Sequence, residues 1–426
     1  MTRARVAVSG AFAAQGFAFA LVITGLAGFK EKFGLDDLAV TAVTLGVCVA
    51  AALGTGVADR LARAAGGSRL ALVLGLLVVA GATVVITLAG STAVLVAGFV
   101  VYGVGLGLVD AGTNMQAVAI QQAYGRSLMT GFYACWSAAG ILGAVLTSVG
   151  AGTGSITALR LASVPVVLLA AVAVHRAGVV RSAPVTSADG RATGVAIPWA
   201  VVIVLGLGVV AFYVADTAVS TWSTIYLGDV LLATAVVAPL GYAAYLGTTL
   251  ASRLAGDHAV RRWGRTLVVR TAALVAGAGL LAVVLAPGVP VGLLGFAVAG
   301  AGLGLIAPLC FSAAGALAPG REDAVIARLN VFNYVGAVLG GVLVGAIGSA
   351  STLRIAFVVP LVLILGVAVI AGRFERHDGS HRGAEPAATA LATVPDADAG
   401  GPVAPSAAPA APAPAAHAPV DGPGSS

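Results

Sequence analysis

The sequence predicts an all-α polytopic membrane protein with about twelve transmembrane helices in two parallel six-helix repeats. Charged residues make up only 9% of the 426 residues, whereas a soluble domain typically has about 25%, and the mean hydropathy is +1.03. Apolar segments long enough to cross a bilayer, which takes about 20 residues, follow one another from Val8 to Ala371. These runs are continuous and do not alternate, which indicates helices and not barrel strands.

The first half of the chain contains six of these segments. The first begins with basic residues, as a signal peptide does, but its apolar run is too long and no small-residue cleavage site follows. We therefore expect it to be retained as a span. The fourth segment is rich in glycine and contains an acid, and the fifth carries a second glycine-rich stretch. The predicted spans are Val8–Phe29, Leu38–Ala58, Leu70–Ala89, Thr92–Ala119, Leu128–Val149 and Ala158–Val174.

The second half contains six more segments. The seventh has an acid near its outer end, the tenth repeats the glycine pattern of the fourth, and the eleventh begins with two asparagines and a tyrosine. The predicted spans are Ile197–Val219, Thr234–Leu254, Leu267–Ala286, Val291–Leu317, Leu329–Gly348 and Leu353–Ala371.

Two polar segments divide the chain into regions. The connection between the sixth and seventh spans contains Gly, Pro and Ser without apolar periodicity, which is typical of a linker. After the last span the chain becomes rich in Ala and Pro, and this composition predicts a disordered tail. The predicted regions are an N-terminal bundle over 1–176, a cytoplasmic linker over 177–196, a C-terminal bundle over 197–372 and a cytoplasmic tail over 373–426.

The two halves also resemble each other in sequence. Three pairs of short segments match in the same order at offsets of 197, 198 and 194 residues. Because six spans separate the copies, a duplicated unit with the same orientation in the membrane is indicated. The matched pairs are YGVGLGLVDAG with AGAGLGLIAPL, ADRLARAAGGSR with GDHAVRRWGR, and LRLA with LRIA.

Arginine is distributed unevenly between the loops on the two sides of the membrane. The positive-inside rule places the arginine-rich side in the cytoplasm, so we expect a cytoplasmic-membrane protein with both termini inside. This asymmetry accounts for the net charge of +6, and we expect no nucleic-acid partner. The basic residues predicted on the other side of the membrane are Lys30, Lys32, Arg160 and Arg354. The predicted cytoplasmic residues are Arg3, Arg5, Arg60, Arg63, Arg69, Arg126, Arg176, Arg181, Arg191, Arg261, Arg262, Arg265, Arg321, Arg328, Arg373 and Arg376.

The chain resembles the major facilitator superfamily over nearly all of its spans. Parallel repeats of six spans are the plan of that superfamily, with the solute held near the midplane between the halves. The loops DRLARAAGGSR and GDHAVRRWGR resemble the family's loop motif, in which basic residues follow an acid. Four residues before each acid the family has Gly, whereas this chain has Thr55 and Arg253. The resemblance assigns conformational control to Asp59, Arg60, Asp257 and Arg261.

One branch of the superfamily resembles the chain in more detail. In the branch of the fucose:proton symporters a glycine-rich fourth helix carries an acid followed four residues later by Asn, and Asp110 and Asn114 match this pattern. The seventh span of the branch has an acid six residues before a Trp, which Asp216 and Trp222 match. A second acid often precedes that Trp, where this chain has Thr221. Drug:proton antiporters carry a central Pro in a Gly-rich fifth span, and ACWSAAGILGAVL has the glycines without the Pro.

Asp110 is the candidate for proton coupling. An ionised carboxylate at the centre of a span costs about 2.5–3.5 kcal/mol on insertion scales, so the side chain should face a polar cavity or a partner. A desolvated carboxyl can exchange a proton near physiological pH. Its counterpart in the second repeat is Ala307. The alternative interpretation is a structural Asp bonded to Asn114 or to a helix Ser or Thr.

Polar and aromatic groups in other spans are candidates for binding the solute. Asn114 lies one turn from Asp110 and can donate and accept, which suits a hydroxylated ligand; the alternative is a bond between helices. Asp216 stands among aromatic residues, which suits a sugar or a cation, with an interfacial aromatic belt as the alternative. The predicted binding residues are Asn114, Asp216, Trp222, Asn333, Trp136 and Tyr133, and Gln15 is a further cavity candidate.

Other classes of function lack their motifs. The five histidines lie at span ends, in loops or in the tail, and each of the three cysteines stands alone in a different span. No metal spacing, P-loop or paired-carboxylate motif occurs, so we expect no cofactor, no metal and no enzymatic activity.

The sequence predicts a secondary active transporter that moves a small organic solute, such as a sugar, by alternating access with proton coupling. The partners expected are the solute, protons and the lipid bilayer, and we expect a monomer. A proton-driven exporter of a drug or secondary metabolite is one alternative. A non-transporting membrane sensor on a transporter fold is the other.

Overall fold

The protein is all-α, as a computed structural model of the chain shows. The structure describes residues 2–23, 29, 32–35, 37–63, 67–153, 156–177, 197–234, 237–318 and 321–374, and no strand occurs among them. The predicted linker lies outside the described residues except for Ala177, which ends a helix. The predicted tail lies outside them except for Arg373 and Phe374, which belong to a 3₁₀ turn.

Twelve long helices follow one another along the described part of the chain. In the first half they are α1 Thr2–Ile23, α2 Asp37–Arg63, α3 Gly67–Thr87, α4 Thr92–Tyr124, α5 Met129–Thr153 and α6 Ile156–Ala177. In the second half they are α7 Trp199–Ile225, α8 Leu240–Trp263, α9 Arg265–Leu285, α10 Val289–Ala314, α11 Glu322–Ala350 and α12 Leu353–Ile370. A π-helical turn, Tyr226–Val230, extends α7.

Eleven of these helices are long and apolar enough to cross a membrane. Helix α8 is long enough but too polar, because its second half carries Arg253, Asp257, Arg261 and Arg262. Arg253, Asp257 and Arg261 contact the other half of the molecule, as described below, whereas Arg262 is exposed near the end of the helix.

Helix packing within the two halves follows the same pattern. Helix α4 packs against α2 and α3, and α10 packs in the same way against α8 and α9; α1 pairs with α5, and α7 with α11. The matched glycines allow these close approaches. A Cβ at Gly107 would lie 1.9 Å from the carbonyl oxygen of Ala51 on α2, and one at Gly304 would lie 2.3 Å from Ser252 Oγ on α8. The repeated glycine pattern therefore marks equivalent helix contacts in a duplicated bundle.

The halves meet mainly along two helix pairs, α2 with α11 and α5 with α8, with further contacts from α4 and α10. The two pairs are equivalent by the repeat, because α2 of the first half corresponds to α8 of the second, and α5 corresponds to α11. The largest cluster of buried apolar side chains includes residues of both halves, among them Met115 and Phe132 in the first and Phe311 and Leu329 in the second. The interface between the halves is therefore part of the protein core.

Candidate functional site

Asp110 lies where the two halves meet. Its carboxylate accepts short hydrogen bonds from Gln15 Nε2 on α1 and from the Tyr334 hydroxyl on α11. The first donor belongs to the same half as Asp110 and the second to the opposite half. A single acidic side chain inside the membrane domain is thus bonded to both halves.

Asn114, one turn along α4, continues this polar contact between the halves. Its side-chain amide donates to the Asp110 backbone carbonyl at 2.9 Å and to Asn330 Oδ1 on α11 at 3.3 Å. Its side-chain oxygen accepts from the Tyr133 hydroxyl on α5 at 3.0 Å. Asn330 Nδ2 donates in turn to Thr55 Oγ1 on α2 at 3.2 Å. Both alternatives for Asn114, ligand contact and interhelical bonding, remain consistent with this geometry.

Asn333 has an unused acceptor in the same region. Its Nδ2 donates to Asn330 Oδ1 at 2.9 Å, but its own Oδ1 is buried and has no hydrogen-bond partner among the described residues. A buried acceptor without a partner is costly, and such an atom is a natural contact for a donor group on a ligand. We call the following eight residues the central polar cluster: Gln15, Thr55, Asp110, Asn114, Tyr133, Asn330, Asn333 and Tyr334.

A buried arginine borders the central polar cluster. The Arg253 guanidinium on α8 donates to Ser137 Oγ on α5 by a short bond and to the Gly304 carbonyl at 3.1 Å. It also stands 5.6 Å above the Tyr133 ring, a cation–π geometry. The Tyr133 hydroxyl therefore donates to Asn114 of its own half, while its ring faces the Arg253 guanidinium of the opposite half.

Asp216 has a partner that its sequence neighbourhood does not suggest. The Tyr245 hydroxyl on α8 donates to Asp216 Oδ1 at 2.5 Å, and the Tyr242 and Tyr245 rings stack at 6.1 Å. Helix α7 continues to Ile225 and then as the π turn, so Asp216 lies near the middle of the helix and not near its outer end. Tyr226 donates to the Val283 carbonyl instead and is a core residue.

The two predicted tryptophans pack against helices and form no described hydrogen bond to Asp110. The Trp222 ring packs so closely on Gly345 of α11 that a Cβ there would lie 2.6 Å from Trp222 Cζ2. Its indole nitrogen is buried without an acceptor among the described residues. Trp136 is partly buried against Phe19 of α1, with ring centroids 6.0 Å apart. Neither forms a described hydrogen bond to the central polar cluster.

The loop acid of the second half caps a helix of the first half. Asp257 accepts from Ser127 Oγ at 2.7 Å and from the backbone amides of Thr130 at 3.2 Å and Gly131 at 2.9 Å. These groups lie at the N-terminus of α5, where free amides and the helix dipole favour an anion. Arg261 donates to the Ser127 carbonyl at 3.4 Å.

Asp59, the acid of the corresponding loop in the first half, faces α11 of the second half. Asp59 pairs with Arg63 one turn on at 2.9 Å, and its other oxygen lies 3.5 Å from Arg328 Nη1 on α11. Arg60 is exposed and makes no described contact with the opposite half. Three of the four loop residues predicted to control conformation, all except Arg60, therefore contact the opposite half.

Sequence reasoning missed Tyr334 as the partner of Asp110 and Tyr245 as the partner of Asp216. It noted Thr55 and Arg253 only as departures from the loop motif, yet both side chains bond across the interface. A signal was present, because a polar or charged residue replacing glycine inside a span needs a partner there. No cluster of three or more metal-ligating side chains occurs in the described part of the chain.

Comparison with known proteins agrees with a membrane transporter. The family model described as the Major Facilitator Superfamily matches residues 204–415. An uncharacterized transporter of Sinorhizobium fredii is 30% identical over 277 residues, which are 63% of this chain and 71% of that protein. An uncharacterized MFS-type transporter of Yersinia pestis is 26% identical over 344 residues, which are 80% of this chain and 88% of that protein. The chain belongs to the major facilitator superfamily.

A solved structure supports the same fold. The transporter FucP in its outward conformation superposes with a TM-score of 0.72 over 87% of this chain and 98% of its own, at 16% identity. At that identity the likeness concerns the fold alone. The predicted all-α fold of two parallel six-helix repeats is confirmed.

Proposed function

We propose that the protein is a secondary active transporter that carries a small organic solute by alternating access, driven by protons that bind and leave at Asp110. The observation that carries this proposal is the position of Asp110, whose carboxylate bonds to Gln15 of its own half and Tyr334 of the other. Alternating access requires the halves to move relative to each other, so a titratable group bonded to both can link protonation to that movement.

The chemistry of the two bonds supports this link. An ionised carboxylate only accepts, and it satisfies both the Gln15 amide and the Tyr334 hydroxyl. A protonated carboxyl carries an O–H group that must donate; the Gln15 amide nitrogen cannot accept from it, whereas the Tyr334 hydroxyl can. Binding a proton therefore either displaces the Gln15 amide or reverses the Tyr334 bond, and in both cases the contact between the halves loses the strength that the carboxylate charge gave it.

The solute class follows from the neutral members of the central polar cluster. Asn114, Asn333 and Tyr133 are uncharged and together donate and accept hydrogen bonds, which suits a neutral hydroxylated molecule such as a sugar. The free acceptor on Asn333 supports a solute that brings its own donor. In this proposal Trp136 and Trp222 act as aromatic walls, and Asp216 with Tyr245 forms a second polar group in the C-terminal half.

The loop contacts supply the gate at the arginine-rich end, which we assign to the cytoplasm together with both termini. Asp257 on the α5 N-terminus and Asp59 beside Arg328 hold the halves together there. Opening toward that side requires both contacts to break. In this proposal a proton at Asp110 and the two loop contacts affect the same interface between the halves.

The test is transport by purified protein in liposomes, with Asp110→Asn compared to Asp229→Asn. Asp229 lies exposed in the π turn and provides the same chemical change outside the interface. The substrate is the monosaccharide that most raises the melting temperature of the wild-type protein. We expect Asp110→Asn to retain counterflow of that sugar but to lose accumulation driven by a proton gradient, while Asp229→Asn behaves as wild type.

Other outcomes separate the alternatives. Accumulation at the wild-type rate by Asp110→Asn would contradict proton coupling at this residue. Proton-driven flux out of the compartment that corresponds to the cytoplasm would identify an exporter. Thermal stabilisation by a sugar without any flux would identify a sensor.

A further inference from the structure

A groove on the outer surface of the first half lies between α1, α5 and α6. It has a volume of about 870 Å³ and runs along α1 from Thr2 to Phe17. Its lining includes small side chains, among them Ala13 and Ala173, and the larger apolar side chains Leu142 and Leu169. Because these helices are membrane spans, the groove faces the lipid.

The groove is open at Gly10 and is not a site of tight helix contact there. A Cβ built on Gly10 would meet nothing within 4 Å, whereas one on Gly16, two turns further along the same helix, would lie 2.3 Å from the Trp136 carbonyl oxygen. Glycine at position 16 therefore serves packing against α5. Glycine at position 10 leaves space that the protein itself does not fill.

Charge is concentrated at one end of the groove. Arg3 at the start of α1 and Arg176 at the end of α6 both line it, and both side chains are exposed. Neither forms an ion pair with an acidic side chain among the described residues. Guanidinium groups bind phosphate oxygens in a bidentate manner, and basic pockets between transmembrane helices bind anionic lipid headgroups.

We propose that this groove binds one anionic phospholipid, with an acyl chain along its length and the phosphate between Arg3 and Arg176. The dimensions agree: the stretch from Thr2 to Phe17 is about 22 Å long at 1.5 Å per residue, and one leaflet with its headgroup region is about 20–22 Å thick. The chain would contact α1, α5 and α6, all in the N-terminal half. The site is therefore independent of which solute is transported.

The experiment is native mass spectrometry of the full-length protein, delipidated and then titrated with phosphatidylglycerol or phosphatidylcholine of identical chains. We expect the wild type to bind one phosphatidylglycerol in preference to phosphatidylcholine. The double variant Arg3→Gln/Arg176→Gln should bind phosphatidylglycerol roughly thirtyfold more weakly, since each surface arginine contributes about a factor of five. The matched control is Arg262→Gln, an exposed arginine of α8 away from the groove, which should leave the affinity unchanged.

A second pair of variants tests the acyl chain. Gly10→Leu should fill the groove and reduce binding of both lipids at this site. Gly81→Leu is the control, because Gly81 is also an exposed helix glycine whose Cβ would meet nothing within 4 Å. Equal binding of the two lipids by the wild type would overturn the proposal. Equal losses in Arg262→Gln and the double variant, or unchanged binding in Gly10→Leu, would overturn it as well.

Discussion

At the scale of single residues, Asp110 illustrates what one sequence can and cannot reveal. Its depth in an apolar span and the Asn114 one turn away predict a functional carboxylate, because both depend only on local spacing. Its partner Tyr334 lies 224 residues away, and no local pattern joins the two. The sequence predicts the buried acid, and only the packing of α4 against α11 identifies its donor.

Tyr334→Phe tests that pairing. The substitution keeps the ring and removes the hydroxyl that donates to Asp110. Hydrogen bonds to charged groups contribute about 1.5–3 kcal/mol, so we expect a lower melting temperature and a reduced ratio of proton-driven uptake to counterflow in liposomes. Tyr226→Phe is the control, because it removes a hydroxyl bonded to the Val283 carbonyl within the second half. It should lower the melting temperature without changing the ratio, and an equal change in both variants would refute a special role for Tyr334.

At the scale of helices, hydropathy predicts most spans to within a few residues and fails most clearly at α8. The predicted span was Thr234–Leu254, whereas the helix runs from Leu240 to Trp263. Hydropathy ends the span before Asp257, Arg261 and Arg262, which it counts as exposed to water. In the fold Arg253 bonds to Ser137 and Asp257 caps α5, so a polar helix end is satisfied by the opposite half. Such partners depend on tertiary structure, which explains the displaced boundary.

Asp257→Ala tests the helix cap across the interface. The carboxylate accepts from the amides of Thr130 and Gly131, and loss of an N-cap side chain costs about 0.5–2 kcal/mol. We expect hydrogen exchange at these two amides to accelerate by roughly two- to thirtyfold, as measured by mass spectrometry on peptides from the start of α5. Asp59→Ala, the equivalent change in the first half, should leave these amides unaffected. Unaltered exchange in Asp257→Ala would show that the cap does not protect α5.

At the scale of the whole molecule, the contacts between the halves follow the duplication of the chain. Thr55 on α2 accepts from Asn330 on α11, and Arg253 on α8 donates to Ser137 on α5. Each of these bonds lies one turn deeper than a loop acid, Asp59 or Asp257. Thr55 and Arg253, which stand where the family motif has glycine, thus add a second layer of contacts between the halves, namely the bonds Asn330–Thr55 and Arg253–Ser137. The repeat was visible in the sequence, but its use at the interface was not.

This second layer should set how readily the arginine-rich end opens. Thr55→Val combined with Ser137→Ala removes both bonds with little change in volume. A neutral hydrogen bond contributes about 1 kcal/mol and one to a charged group about 1.5–3 kcal/mol, so the closed state should lose roughly two orders of magnitude in population ratio. Spin labels at positions 126 and 262, which are exposed arginines in opposite halves, report the separation by pulsed electron resonance.

We expect the double variant to show a larger fraction of long distances than the wild type in the absence of solute. The control is Thr83→Val with Ser163→Ala, because both of those hydroxyls are buried and bond to carbonyls of their own helices. An identical distance distribution in the wild type and in Thr55→Val/Ser137→Ala would mean that the loop acids alone hold this end closed. A shift confined to the interface variant would instead assign part of the gate to the residues that replaced the two glycines.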